Sequence, residues 1–203
     1  MMKLLFAFLL LLGSLNAALI TKSVVKKADA KYGVQAKKRF FSVEKVLLED
    51  LHNVSELKKL NVVNRWINYI KYRSDLKLYG VRDYWATLYE FLGHGMGDCE
   101  DYTIAKYYIL KALGVEPHKL KFTYVIYKNK HGKKISHMVL SYLKVSHPKK
   151  RSDILILDNN NRLVLPASKR KDIVKVIKMI NGDTGAKSKK WKKLEKNMKR
   201  KKL

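Results

Sequence analysis

The sequence predicts an α+β fold in which N-terminal helices are followed by an antiparallel sheet. Apolar residues recur at helical spacing in residues 42–72 and again in residues 98–113. Residues 120–166 instead contain short apolar segments, rich in β-branched and aromatic residues and separated by polar turns. Helices that precede a run of strands are typical of the α+β class. The chain has 203 residues, with no internal repeat and no Pro/Ser-rich linker, which indicates one domain with a sizeable core.

The first residues have the composition of an export signal. Lys3 is followed by an apolar core at residues 4–12 and by small residues around Ala17. This pattern predicts a signal peptide over residues 1–17 and export to the periplasm. The apolar run is short for a membrane span, so cleavage is favoured over the alternative, an uncleaved membrane anchor. We expect the folded domain to cover residues 18–183.

Three helices are predicted before the sheet. Residues 42–52 and 54–72 form the first two, and the apolar side of the second carries Leu57, Leu60, Val63, Trp66, Ile67 and Ile70. The third helix covers residues 98–113, because Asp98 is a good N-cap residue and Gly114 stands where a C-terminal cap belongs. We expect this third helix to pack against the sheet.

The sheet is predicted to contain four strands, which are followed by one more helix. Polar turns at residues 130–132 and 159–161 separate the members of each strand pair. The predicted strands are residues 120–128, 134–145, 153–158 and 162–166. Residues 168–180 are predicted to form a basic amphipathic helix that ends near Gly182.

The charge of the chain is strongly positive. The sequence holds 44 Lys and Arg against 17 Asp and Glu, a formal net charge of +27 at pH 7. Residues 184–203 are predicted to be a basic, mobile tail, either simply solvated or in weak contact with anionic lipid or an acidic protein. Charge alone would also suit nucleic acid, but an exported chain rarely meets it, so we expect no nucleic-acid partner.

Cys99 is the only cysteine, so the chain cannot form an internal disulfide. It follows Asp98 and therefore lies in the first turn of the predicted third helix. Backbone N–H groups and the helix dipole favour a thiolate there, which is the nucleophilic form of cysteine. The alternative is that Cys99 is an inert, buried small side chain.

His137 and Asp158 complete a possible catalytic set with Cys99. His137 lies near the start of one predicted strand, and Asp158 ends another beside a polar turn. In such a set the imidazole accepts the thiol proton and later protonates the leaving amine, while the carboxylate orients the imidazole. His94 is a rival base and Asp153 a rival acid. We prefer His137 and Asp158 because predicted strands hold them.

Several segments closely resemble the bacterial transglutaminase-like cysteine proteinases, and within that family the LapG-type periplasmic adhesin proteases. The resemblance covers about residues 40–180. Its most specific part is the block GDCEDY at residues 97–102, and the supporting segments are YRSD (72–75), WATLYEFL (85–92), HMVL (137–140) and LDN (157–159). The resemblance implies a papain- or transglutaminase-like fold and a cysteine endopeptidase whose catalytic residues fall on Cys99, His137 and Asp158.

The carboxylates around Cys99 pose an electrostatic problem. Asp98, Glu100 and Asp101 place three negative charges beside a thiol that must ionise, and like charge raises a thiol pKa. A bound Ca²⁺ would remove the conflict, although acidic residues in a first helical turn are also favourable without metal. The resemblance implies a Ca²⁺ requirement, with ligands on Asp98 and Glu100. Asp101 is a further candidate and Asp83 a weaker one.

The resemblance also implies partners that residue patterns do not show. They are a large surface adhesin, cut in its N-terminal region to control biofilm attachment, and an inner-membrane cyclic-di-GMP receptor whose periplasmic domain sequesters the protease. Two other functions stay open at this point. A transglutaminase-type acyl transferase would use the same thioester with an amine in place of water. A non-catalytic envelope-binding module would carry an inert thiol.

Overall fold

The computed structural model describes residues 19–182 and 189–200. The helices of this part of the chain cover its N-terminal half and its C-terminal end. They are α1 (Lys22–Tyr32), α2 (Val34–Ser42), α3 (Glu56–Ile67), α4 (Asp75–Tyr79), α5 (Leu88–His94), α6 (Cys99–Ala112) and α7 (Lys189–Arg200). A π-helix (Val43–Glu49) continues α2, and short 3-10 turns lie at Pro117–Lys119, Arg151–Asp153 and Ala167–Lys169. None of the described helices is long and apolar enough to cross a membrane.

The strands form one antiparallel sheet and one short parallel pair. The pair joins β1 (Lys71–Tyr72) to β2 (Met96–Gly97). The sheet strands are β3 (Leu120–Lys128), β4 (Lys134–Leu143), β5 (Ile154–Asp158), β6 (Asn161–Pro166) and β7 (Ile173–Asn181). Their order in the sheet is β6-β5-β4-β3-β7, and every neighbouring pair is antiparallel. The α+β class is thereby confirmed.

Helix α6 lies at the centre of the fold. Most of its residues from Asp101 to Leu110 are buried, because α3 and α5 pack on one side and β4 and β5 on the other. The side chains of α6 join one continuous core with those of the helices and of the inner sheet face. The predicted helix over residues 98–113 is confirmed, as is its packing against the sheet.

The four predicted strands are confirmed to within two residues at their ends. In the helical half, the predicted helix over residues 42–52 is present as the π-helix Val43–Glu49. The helix predicted over residues 54–72 is the shorter α3, which ends at Ile67.

The predicted helix over residues 168–180 is wrong, because most of this segment is the edge strand β7. Strand β7 pairs with β3 in a register that shifts twice, between Tyr124 and Val125 and between Ile126 and Tyr127. Such irregularities interrupt the strict alternation of a strand, so the apolar residues recur at intervals that suggest a helix. The β-branched residues of the segment fit the pleated surface of the sheet.

The predicted mobile tail over residues 184–203 is also corrected by the structure. Residues Lys189–Arg200 form α7, which buries Trp191, Leu194 and Met198 along one side. Trp191 is 3% exposed and contacts the rings of Trp85 and Phe122. The folded domain therefore extends beyond the predicted boundary at residue 183. The predicted signal peptide (1–17) and residues 184–188 and 201–203 lie outside the described residues.

The packing of α7 can be tested by truncating its main apolar side chain. Trp191→Ala removes a buried indole, which typically lowers the free energy of unfolding by about 3–5 kcal/mol. Lys192→Ala, at the next and exposed position, should change that free energy by about 0.5 kcal/mol or less. Urea denaturation of both variants measures the difference. Equal stability of the two variants would show that α7 is not part of the core.

Candidate active site

Cys99 is the first residue of α6, and the start of that helix is capped by acidic side chains. The Asp98 carboxylate accepts the Glu100 N–H at 3.3 Å, and the Asp101 carboxylate accepts the Asp98 N–H at 3.2 Å. This capping box holds the first turn in place. The predicted position of Cys99 at a helix N-terminus is confirmed.

The first turn of α6 lies against β4. The Thr103 hydroxyl is 2.8 Å from the carbonyl oxygen of Cys99 and 3.3 Å from that of Met138. Met138 directly follows His137 on β4. The contact therefore brings the cysteine end of the helix to the residue next to the predicted base.

His137 and Asp158 form a buried hydrogen-bonded pair. Strands β4 and β5 are neighbours, and Nε2 of His137 lies 2.8 Å from Oδ1 of Asp158. Because the carboxylate can only accept, Nε2 carries the hydrogen and Nδ1 is the nitrogen left to accept a proton. His137 is 8% exposed and Asp158 1% exposed, so solvent competes little with this bond.

Asp158 is held by two further groups that sequence reasoning missed. Nη2 of Arg170 donates to Oδ2 of Asp158 at 2.6 Å, and the Asn160 N–H donates to Oδ1 at 2.8 Å. Burial opposes ionisation of Asp158, but His137, Arg170 and Asn160 together hold the pKa of its carboxyl well below its usual range. Arg170 also binds both carboxylate oxygens of Asp172. Nothing in the local pattern distinguishes Arg170 from the other basic residues of this segment.

A buried lysine also faces this part of the core. Lys106 lies on α6, seven residues after Cys99, and is 1% exposed. Its complete burial lowers its pKa to about 7, and the charge of Asp158 acts in the opposite direction. Its ammonium group lies 5.9 Å from the ring centroid of Tyr102. Sequence reasoning missed this residue as well, because a lysine on a helix is usually exposed.

The surroundings of Cys99 favour the protonated form of its thiol. Sγ of Cys99 donates to Oε2 of Glu100 at 2.8 Å, and within the described residues no hydrogen bond joins it to His137. Burial, followed by the charges of Glu100 and Asp98, raises the pKa of the thiol far above its usual range. A hydrogen bond from the Met138 backbone acts in the opposite direction. The predicted electrostatic conflict is therefore present in the structure.

The carboxylates near Cys99 form a dense cluster. One oxygen each from Asp75, Asp98 and Asp101 lies within 4.8 Å of the others, and Asp98 also groups with Cys99 and Glu100. Burial and the neighbouring carboxylates raise the pKa of Asp98 to about 9. Burial, together with the charges of Asp75 and Glu100, raises the pKa of Asp101 to about 8.

The donor set of this acidic cluster fits a hard cation. Oδ2 of Asp75 accepts the Tyr84 N–H at 2.6 Å, whereas Oδ1 is buried and has no hydrogen-bond partner among the described residues. Carboxylate oxygens are the ligands that Ca²⁺ prefers. The structure brings the predicted ligands Asp98, Glu100 and Asp101 together and adds Asp75, which lies in the sequence block YRSD but was not recognised as a ligand. Asp83 stands apart from the cluster, where it is half-exposed and paired with Lys190.

The rival residues do not join the site. His94 packs edge-on against the rings of Tyr32 and Tyr79. Asp153 accepts the Lys150 N–H at 3.1 Å and so caps a 3-10 turn. The arrangement that remains is a thiol at a helix start, an imidazole–carboxylate pair on the strands against which that helix packs, and an acidic cluster that includes the first turn of the helix. These groups can perform nucleophilic attack on an acyl carbon.

Comparisons with known proteins agree with this geometry. Residues 42–199 match the family model of the bacterial transglutaminase-like cysteine proteinases. No curated protein matches the sequence. Among solved structures, LapG of Legionella pneumophila is 32% identical with a TM-score of 0.69, and the match covers 87% of this chain and 96% of that chain.

Two further LapG structures from the same organism match as well. The calcium-bound form is 32% identical with a TM-score of 0.69 and covers 87% of this chain and 97% of that one. The EGTA-treated form is 31% identical with a TM-score of 0.68 and covers 87% and 96%. On the match of the family model and on this similarity, the chain belongs to the bacterial transglutaminase-like cysteine proteinases.

Proposed function

We propose that this cysteine proteinase is a calcium-dependent endopeptidase of the periplasm that cleaves the N-terminal region of a large surface adhesin. The proposed protease activity rests on one observation, the buried His137–Asp158 pair next to the start of the helix that holds Cys99. Cys99, His137 and Asp158 are then nucleophile, base and orienting acid.

The chemistry proceeds through a thioester. The Cys99 thiol transfers its proton to Nδ1 of His137, and the sulfur attacks the carbonyl carbon of the scissile peptide bond. The Cys99 N–H, at the start of α6, is the natural donor to the oxyanion. His137 then gives its proton to the leaving amine as the C–N bond breaks. A water molecule, deprotonated by His137, attacks the thioester, and collapse releases the acid and the thiol.

Asp158 and Arg170 act on the base and not on the substrate. The bond from Nε2 of His137 to Asp158 fixes the ring so that Nδ1 is free to accept a proton. Arg170 is a positioning residue, because it holds the second oxygen of Asp158 at 2.6 Å and keeps that carboxyl ionised.

We propose that Asp75, Asp98, Glu100 and Asp101 hold Ca²⁺. Two observations support this assignment: a buried oxygen of Asp75 has no hydrogen-bond partner among the residues that the structure describes, and the carboxylates are crowded together. The existence of calcium-bound and EGTA-treated forms of LapG supports it further. The bound charge would offset the carboxylate charges that oppose ionisation of the Cys99 thiol.

The biological setting is part of the same proposal. The predicted signal peptide and the resemblance to periplasmic adhesin proteases support an exported enzyme that acts on a cell-surface adhesin. We propose that the periplasmic domain of an inner-membrane cyclic-di-GMP receptor sequesters the protease, so that its release leads to adhesin cleavage and biofilm dispersal.

Replacing the catalytic residues tests the proposed reaction. Cys99→Ala and His137→Ala should each abolish cleavage of an adhesin N-terminal fragment, because the pair acts as a unit. Asp158→Asn should lower kcat by about 10²–10⁴-fold, because the ring is no longer held in the required tautomer. Gel electrophoresis and mass spectrometry of the products measure cleavage, and circular dichroism confirms the fold. Wild-type turnover in either alanine variant would refute the assignment.

Metal dependence is tested with a pair of matched variants. EGTA should stop cleavage, and Ca²⁺ should restore it better than Mg²⁺, which requires a tighter octahedral geometry. Asp75→Asn should weaken Ca²⁺ binding by at least about tenfold in calorimetry and reduce the rise in Tm that Ca²⁺ causes. Asp83→Asn, which removes a nearby carboxylate outside the cluster, should bind Ca²⁺ like the wild type. Equal affinities in the two variants would exclude Asp75 as a ligand.

The positioning role of Arg170 predicts a pH effect. Arg170→Gln removes a charge that lowers the pKa of Asp158, so Asp158 should become protonated at higher pH than in the wild type. Activity on the acidic side should therefore be lost at higher pH, and kcat should fall by on the order of 10- to 100-fold with little change in KM. Lys171→Gln, at the exposed neighbouring position, is the control. An unshifted pH profile would mean that Arg170 is only structural.

A further inference from the structure

A cleft of about 450 Å³ opens beside His137. That volume lies within the range of about 300–1,000 Å³ that is typical of ligand pockets. Trp85, Tyr124 and Ile177 line its apolar part, and Lys178 and Lys189 stand among its other lining residues. The cleft is thus formed jointly by β3, β7 and the start of α7.

The cleft lies next to the proposed catalytic base. His137 is itself a lining residue. Tyr124, another lining residue, pairs on the sheet with Met138, whose carbonyl oxygen lies 3.3 Å from the hydroxyl of Thr103 on α6. A polypeptide that presents a carbonyl group to Cys99 therefore extends over this cleft on one side of the scissile bond.

The cleft has a positively charged lining. Its described lining includes three lysines and no carboxylate. Lys190 is engaged, since it pairs with Asp83 and lies 5.8 Å from the Trp85 ring centroid. Lys178 and Lys189 are exposed and have no acidic partner among the described residues. Two lysines without an acidic partner in the described part of the chain therefore line the cleft that a bound peptide would occupy.

We propose that this cleft selects peptide substrates that carry an acidic side chain close to the scissile bond, on the side that occupies the cleft. An acidic side chain there meets Lys178 and Lys189, whereas a basic one is repelled. The acidic cluster, none of whose residues lines the cleft, gives no such advantage to an acidic residue. The preference should therefore be confined to one side of the cleaved bond. This inference rests on the proposed endopeptidase function and adds its substrate class.

A set of matched peptides tests the selection. A single Glu is moved through four positions on each side of the scissile bond in a neutral peptide, with Gln at the same position as the reference. Because exposed ion pairs contribute about 0.2–1 kcal/mol each, we expect kcat/KM to rise about threefold to tenfold for Glu at contiguous positions on one side. The advantage should shrink in 0.5 M salt, since the screening length shortens as ionic strength rises.

Charge-reversal variants test whether the lysines of the cleft cause the preference for Glu. In Lys178→Glu/Lys189→Glu the same peptides should show a preference for Lys over Glu. Lys26→Glu/Lys27→Glu on α1 changes the net charge equally at exposed positions remote from the cleft and should keep the wild-type profile. A profile that shifts as much in the α1 pair as in the cleft pair would overturn the inference, because the preference would then reflect net charge alone.

The failure of this inference can be told apart from that of the proposed function. Peptides cleaved at equal rates regardless of the position of Glu would overturn the acidic preference and leave the endopeptidase intact. Absence of cleavage for every peptide and for the adhesin fragment, with Ca²⁺ present, would overturn the proposed function. Binding of fluorescent Glu and Gln peptides to Cys99→Ala, measured by anisotropy, tests the cleft independently of turnover. Equal affinities there would overturn the inference.

Discussion

The contact between the first turn of α6 and strand β4 is the constraint on which the site depends. It is made by the Thr103 hydroxyl between the carbonyl oxygens of Cys99 and Met138. Because α6 is buried between helices and sheet, its start cannot move relative to β4 without disturbing the core. Buried α6 also carries polar groups inward, among them Asp101 and Lys106. Cys99, the proposed nucleophile, is therefore held in a fixed position, although it lies at the end of a helix.

The surroundings of Cys99 are acidic, whereas the chain as a whole is strongly basic. The protein has a net charge of +27, yet four carboxylates cluster near the start of α6, and two of them, Asp98 and Glu100, group with the only thiol. The helix dipole favours a thiolate, but burial and the adjacent carboxylates oppose it more strongly. Around Asp158 the balance is reversed, because His137 and Arg170 keep the carboxyl ionised despite its burial. Positively charged side chains thus lower the pKa of Asp158, whereas negatively charged ones raise the pKa of the Cys99 thiol.

Helix α7 links the basic C-terminal region to the site. Trp191 fixes the helix on an aromatic surface formed by Trp85, Tyr107, Tyr108 and Phe122. Once the helix is held there, its first lysines stand at the edge of the cleft beside His137. The positive charge of this region is therefore positioned by the fold, and a part of it lines the cleft.

The sequence by itself determined the features that depend on neighbours along the chain. The N-cap at Asp98, the helical period of α6, the alternation in β3 and the β-branched and aromatic composition of β4 are local patterns, and they predict these elements close to their observed bounds. The order of cysteine, histidine and aspartate is also evident from the sequence, because Cys99 begins its helix, Asp158 ends its strand and His137 lies near the start of its strand. A motif resemblance supplied the family from the same local blocks.

Only the tertiary structure decided the features that depend on distant residues. Strand β7 exists because β3 offers it an edge, and α7 is ordered because its three apolar side chains meet a surface formed elsewhere. Asp75 joins Asp98 across 23 residues of chain, and Arg170 reaches Asp158 across 12. A short segment does not encode such contacts, because their energy comes from burial and charge that arise only when the chain has folded.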